Sequence, residues 1–344
     1  MKTKLKKYFA GTAVAVAVAT LSTTAMAADY TLRFAHFWPA VSPIHKEVFQ
    51  GWADKIEADS NGRIKVQIYP GGTLSRPPAQ YDAVVNRIAD VTATVQGYTA
   101  NRFPLTQIVE LPGIVKTAEQ GSCVIQRLYE EGLTASEYKE THPIFQFTHG
   151  QGHIHTTKVQ INKPSDLEGL RIRRPTQVVA TLLEELGAAP VAMPAPESYQ
   201  SMQRGVIDGV SLPWEGVHSF RINELANYHT EIGLYSLAFI VTMNKQVYNG
   251  MPADLKAVID KNSGLLMAKE AGRSFDMVDG LGRADAVKAK HNITTLQNAT
   301  ENEAWKPVLA STIEKYLQSL EANGLPARQV YERAVELSAE CQES

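Results

Sequence analysis

The sequence predicts an α/β protein folded as two lobes around a cleft. Three observations carry that expectation: strand and helix patterns alternate from Tyr30 onward, the length suits two ordinary domains, and no linker or low-complexity tract divides the chain. Strands alternating with helices imply largely parallel sheets. Lobes joined by several crossings instead of one tether form a hinge, and two such lobes close around what they bind.

The first 27 residues read as a secretory signal. Lys2, Lys4, Lys6 and Lys7 precede an apolar run too short to span a bilayer, and Ala25-Met26-Ala27 offers a cleavage site. Tyr30 to Phe34 then alternates as a strand, while Ile44, Val48, Phe49, Trp52 and Ile56 fall at helical spacing until Asn61-Gly62. Ile64, Val66 and Ile68 alternate with Lys65 and Gln67 and stop at Pro70-Gly71-Gly72, completing a βαβ unit. A helix over 81–88, a strand over 91–95, a helix over 118–138 and a strand over 144–148 extend the pattern.

The second lobe starts near Gly150. Leu170, Ile172 and Arg173 make a short strand stopped by Pro175, a helix runs over 176–186, Gly187 suits its C-cap, and another strand surrounds Val191. Phe239 to Met243 is a further apolar strand. Pro252 to Lys290 is a nearly unbroken helical stretch, and some 40 residues at about 1.5 Å each extend roughly 60 Å, enough to cross both lobes. The first lobe is therefore drawn as 28–150 plus about 240–280, and the second as 151–239 plus about 281–344.

Composition narrows the function classes. Removing the signal's four lysines from 34 basic residues leaves 30 against 36 acidic ones, a formal charge of −6, which disfavours nucleic acid and anionic lipid as partners. No later segment is apolar enough to span a membrane. Cys123 and Cys341 lie far apart, and both are expected to be unpaired or dispensable, although an exported protein could oxidise them. The chain has no G-x-S-x-G elbow, phosphate loop, HExxH or GxGxxG pattern, so neither an enzyme nor a cofactor is expected.

One residue dominates the candidate list. A guanidinium held on a strand in a cleft is a preorganised two-pronged donor matched to a carboxylate, and Arg173 is so placed; Arg174 points to the opposite face. Phe37 and Trp38 follow the first strand at the end where open α/β sheets bind ligands, and Tyr98 follows the third. Trp214 near the hinge, Phe239 in its strand, His153 as a donor and Arg76 at the cleft mouth complete the candidate binding set. His149 and His155 read as structural, and the glycine-interrupted THGQGHIHTT matches no metal pattern. Glu110 and Glu215 read as unrelated surface carboxylates.

Three segments carry a family resemblance: LRFAHFWPAVSPIHKEVFQGWADKIEADSNGRIKVQIYPGGTL, KPSDLEGLRIRRP and ELGAAPVAMPAPESYQSMQRGVIDG. Together they resemble the substrate-binding proteins of tripartite ATP-independent periplasmic (TRAP) transporters, the DctP-like family, over essentially the whole mature chain. The resemblance implies a two-lobe periplasmic binding protein fold, type II-like, with hinge strands and a long helix spanning both lobes. It further implies periplasmic location, an arginine in the IRRP motif, here Arg173, that pairs with a substrate carboxylate, and delivery to small and large membrane subunits. Two departures stand out: His153 occupies the place of the second arginine of sialic-acid-binding members, and Leu212 replaces an asparagine common in the family. One cationic anchor, Leu212, and Phe37, Trp38, Tyr98 and Trp214 together favour a monocarboxylate with an aromatic or apolar body, ahead of short hydroxy or keto acids and sulfonates; a dicarboxylate would need His153 or Arg76 as a second positive site. A binding protein of an ABC-type system is the alternative, and a secreted enzyme a weaker one.

Overall fold

A computed structural model describes residues 28–296 and 300–342; the signal sequence expected over 1–27 lies outside them. Eleven strands among the described residues form two sheets. The first has the order β2 (Ile64–Tyr69), β1 (Tyr30–His36), β3 (Val91–Val95), β10 (Ala238–Asn244), β4 (Thr141–Thr148). The second runs β11 (Asn292–Thr295), β9 (Tyr228–Tyr235), β5 (Gly152–Thr156), β8 (Gly209–Leu212), β6 (Arg171–Arg174), β7 (Ala189–Ala192). The two sheets are the centres of the two lobes.

Sequence pattern explains the strand positions. β2 buries Ile64 and Val66 and exposes Lys65 and Gln67, as an edge strand should, whereas β3 is buried throughout between β1 and β10. Phe34 on β1 meets Phe49 and Trp52 edge-on at ring separations of 5.6 Å, fixing the first helical layer to the sheet. That layer opens as a π-helical turn over His45–Gln50 and continues as an α-helix over Gly51–Asp59.

The sheets are mixed, not largely parallel. β1 pairs in parallel with β2 and β3, but β10 is antiparallel to both β3 and β4, and β5 is antiparallel to both β8 and β9. The reason lies in the connections. The chain passes from β4 directly into β5 through 149–151, and from β9 directly into β10 through Ser236 and Leu237, so each crossing returns a strand the other way. The Ser236 hydroxyl donates to the His149 carbonyl at 2.7 Å, tying the two crossings together at the hinge.

The long helix is shorter than the periodicity suggests. It spans Gly264–Lys288, 25 residues or about 37 Å, after a separate helix over Ala253–Lys261. Asn262-Ser263 interrupts the two, with Gly264 at φ 72°. The Gly264–Lys288 helix still packs against the Ala118–Glu130 helix and β4 of one lobe and the Trp214–Ser219 helix of the other. Its Asp276 carboxylate accepts the Ala118 and Glu119 amides at 2.7 and 2.9 Å, and Asp279 accepts the Glu215 amide at 2.5 Å. Each carboxylate therefore satisfies orphan donors at a helix start in a different lobe.

The C-terminal segment divides between the lobes. Lys306–Glu321 packs on the Gln177–Glu185 helix of the second lobe, but Ala327–Glu340 packs on Ala118–Glu130 of the first. A disulfide between Cys123 and Cys341, Cα atoms 5.9 Å apart, locks that second contact and overturns the expectation of unpaired cysteines. Their sequence separation of 218 hid the pairing, since only the tertiary fold brings the last helix back to Ala118–Glu130.

Candidate functional site

A small cavity of about 20 Å³ lies between the lobes. From the first lobe and the hinge come Phe37, Trp38, Val95, Tyr98, His149 and Phe239, and from the second come Arg173, Leu212 and Glu215. Five of the eight sequence-predicted residues, Arg173, Phe37, Trp38, Tyr98 and Phe239, meet there. The other three do not line it.

Arg173 sits on β6 with none of its side chain exposed. Its Nε donates to the Met193 carbonyl at 3.0 Å, one terminal nitrogen to the Ser211 carbonyl at 3.1 Å, and the other to the Tyr98 hydroxyl at 3.1 Å. All three acceptors are neutral. A guanidinium has five N–H donors, so one on each terminal nitrogen has no acceptor among the described residues. Burying an unpaired charge is costly, and such sites are completed by an anion. Arg174, the next residue, is half-buried on the other face, where burial lowers its pKa.

Tyr98 links the lobes. It follows β3 of the first lobe, yet its hydroxyl accepts from Arg173 and from the Ala195 amide at 2.9 Å, both in the second. With both acceptor positions used, its own proton is left to donate. Desolvation raises its pKa and keeps it a neutral donor. Next to it, an added Cβ on Gly97 would stand 2.4 Å from Cγ2 of Thr176, so the backbone there comes close to the second lobe.

The remaining wall is aromatic. Phe37 stacks on Trp38 at 3.9 Å and lies against Tyr98 at 5.8 Å, while Phe239 packs between Trp38 and Phe147. Leu212 occupies the cavity surface where an asparagine would have been polar.

Two polar residues that sequence reasoning set aside also face the cavity. His149 donates from Nδ1 to the Gly150 carbonyl at 2.5 Å, so its neutral ring presents Nε2 as an acceptor, and that atom has no partner among the described residues. Burial drives its pKa down to about 3. Glu215 is buried, not on the surface, and its Oε1 accepts from Trp38 Nε1 at 3.2 Å and from Ser219 Oγ at 2.6 Å. Desolvation lifts its carboxyl to about 7. Glu110, also buried and raised to about 7 by desolvation, accepts from Thr176 Oγ1 at 2.7 Å across the lobes.

Three candidates lie elsewhere. Trp214 opens its helix with its ring turned to His155 and His229 at 5.0 and 4.8 Å and its Nε1 donating to Glu231, because the first helical residue points away from the cavity that its neighbours Pro213 and Glu215 face. His153 accepts the Ile232 and Gly233 amides through Nδ1 at 3.2 Å and lines a separate surface cavity. Arg76 is exposed ahead of a 3₁₀ turn. His155 belongs to a chain: it donates to the Leu212 carbonyl, accepts from His229, and His229 accepts from His291. Among the described residues no cluster of three or more His, Cys, Asp or Glu is arranged to hold a metal, and no helix is long and apolar enough to cross a membrane.

A family model described as bacterial extracellular solute-binding protein, family 7, matches residues 34–320. The chain belongs to the DctP family. DctP proteins are binding proteins of transporters, not an enzyme family, and the two-lobe fold described above is theirs. This DctP protein is similar to a TRAP solute-binding protein from Rhodoferax ferrireducens solved with copurified benzoate, with 35% identity, a TM-score of 0.87 and coverage of 91% of this chain and 98% of that one. It is also similar to a marine-metagenome TRAP protein specific for aromatic acid ligands, solved with 3-hydroxybenzoate, with 34% identity, a TM-score of 0.87 and 91% and 99% coverage. The C4-dicarboxylate-binding periplasmic protein DctP of Rhodobacter capsulatus is 25% identical over 330 residues, covering 89% of this chain and 92% of that protein.

Proposed function

We propose that this DctP protein captures an aromatic monocarboxylate by lobe closure and hands it to the small and large membrane subunits of a TRAP transporter. The observation that carries the reading is the buried Arg173 with only neutral acceptors in an aromatic-walled cavity. The ligand carboxylate takes the two free N–H donors and the Tyr98 proton, and the ring lies against Phe37, Trp38 and Phe239. A desolvated, charge-assisted pair of this kind is far stronger than a surface ion pair. Among the lining residues Arg173 is the sole arginine or lysine, which supports one carboxylate over two. The relatives solved with benzoate and 3-hydroxybenzoate support the same class.

The chain binds and releases its ligand without converting it, and it works in the periplasm after cleavage near Ala27. The test uses the full sequence expressed in a Gram-negative host and purified from the periplasmic fraction. A thermal-shift screen against benzoates, phenylacetates, mandelate, C4-dicarboxylates and sugar acids should give stabilisation by the aromatic acids, about 2.7 kcal/mol at 100 times the dissociation constant. Stabilisation by dicarboxylates or sugar acids alone would overturn the assignment. Chromatography of the recovered ligand checks that it is unchanged, and the mass of the purified chain checks the cleavage.

A further inference from the structure

The aromatic wall is interrupted by one acid. Glu215 is only 3% exposed and lines the same cavity as Arg173. Trp38 and Ser219 both bind Oε1, and no protein donor reaches Oε2 among the described residues. The Glu215 amide is anchored on Asp279 of the long helix, and its side chain is held by Trp38 from the first lobe, so the carboxyl is positioned from both sides of the cleft. Oε2 is thus an acceptor left open to a ligand donor on a residue that lines the cavity with Arg173.

We infer that the ligand is a hydroxylated aromatic acid whose ring hydroxyl, remote from its carboxylate, is bound by Glu215 Oε2. The inference rests on the aromatic-monocarboxylate reading and deepens it. A hydroxyl both donates and accepts, so it satisfies Oε2 whether Glu215 is ionised or protonated. An unsubstituted ring leaves Oε2 desolvated with nothing bound, and a second carboxylate there would place two acids in contact. A site built to hydrogen-bond a hydroxyl discriminates strongly against the analogue lacking it, because its own polar group is then stranded.

The experiment is titration calorimetry on the exported protein with benzoate, phenylacetate and their 3- and 4-hydroxy derivatives, with 3-aminobenzoate and mandelate as controls. At least one ring-hydroxylated acid should bind about 10-fold or more tightly than its parent. In Glu215→Leu that ratio should collapse to within about threefold, and Glu215→Gln, which keeps a donor and an acceptor, should retain part of it. Equal binding of every parent and hydroxylated acid overturns the inference while leaving the aromatic-acid reading standing. A ratio that survives in Glu215→Leu, or a preference for the amine or for the side-chain hydroxyl of mandelate, overturns it too. Failure of all aromatic acids to bind overturns both readings together.

Discussion

The Arg173 guanidinium donates to the Tyr98 hydroxyl at 3.1 Å, joining a strand of the second lobe to a turn of the first. Of the Arg173 acceptors among the described residues, Met193 and Ser211 belong to its own lobe and Tyr98 to the other, so the proposed carboxylate site would be complete only with the lobes together. On the proposed reading, ligand affinity and lobe closure share one set of atoms.

Arg173→Ala should lower affinity for the preferred aromatic acid by about 100-fold or more, since truncating one partner of a buried charge pair typically costs 2–5 kcal/mol. Calorimetric titration measures it. The circular dichroism spectrum should match wild type, because the guanidinium has no charged partner whose pairing would be lost with it.

Tyr98→Phe removes the acceptor used by both Arg173 and the Ala195 amide. Two donors left without a partner in the closed form should weaken binding by roughly 10-fold, from about 1–3 kcal/mol for unsatisfied buried groups. The loss should appear mainly in the ligand dissociation rate by stopped-flow fluorescence.

Gly97→Ala should impair closure. The added methyl would lie 2.4 Å from Thr176 Cγ2 and 2.6 Å from Gln107 Nε2, distances that force the second lobe to move away. Small-angle scattering with saturating ligand should show a larger radius of gyration than wild type, and affinity should fall about 10-fold. Adding Thr176→Ser, which deletes Cγ2, should recover part of the loss in a double-mutant cycle.

Stability should fall as pH drops from 6.5 towards 4. Burial holds His36 and His149 at about 3 and His229 at about 4, with the neighbouring ring as a second cause for His36 and His229. These pKa values are depressed below the unfolded value of 6.5, so the unfolded chain takes protons first; the stabilisation is complete above pH 6.5 and declines below it, by about 1.4 kcal/mol per pH unit for each histidine. Glu110 and Glu215, raised to about 7, act the opposite way between pH 4.5 and 7 and offset part of the slope. Urea midpoints across this range test it: His36→Gln should flatten the curve, and Glu110→Gln should steepen it.

Cys341→Ser, or reduction by dithiothreitol, should lower stability by about 2–4 kcal/mol by freeing a loop of 218 residues, read as a drop of several degrees in Tm. Ligand affinity should change little, because the bond fixes the last helix to Ala118–Glu130 away from the cavity.

Local pattern carried the positions of most strands and of Arg173, because the alternation before Pro175 and the family-like segment both act over a few residues. It carried the aromatic wall for the same reason: Phe37, Trp38 and Tyr98 follow strand ends. Glu215 and His149 were not legible, since nothing local says that a carboxyl or an imidazole is buried; the hinge crossings and the long helix put them there. Trp214 shows the converse, one residue of helical rotation turning a plausible stacking ring towards a histidine chain. The interruption at Asn262-Ser263-Gly264 escapes the sequence pattern, because the hydrophobic period across it reads as one helix.

Asp276 and Asp279 stand one turn apart on the long helix, and each grips the first turn of a helix in a different lobe. One turn of this helix thus holds a backbone segment of each lobe, in addition to the chain crossings. That shared turn gives both sides of the cleft a common point of reference on a single rod.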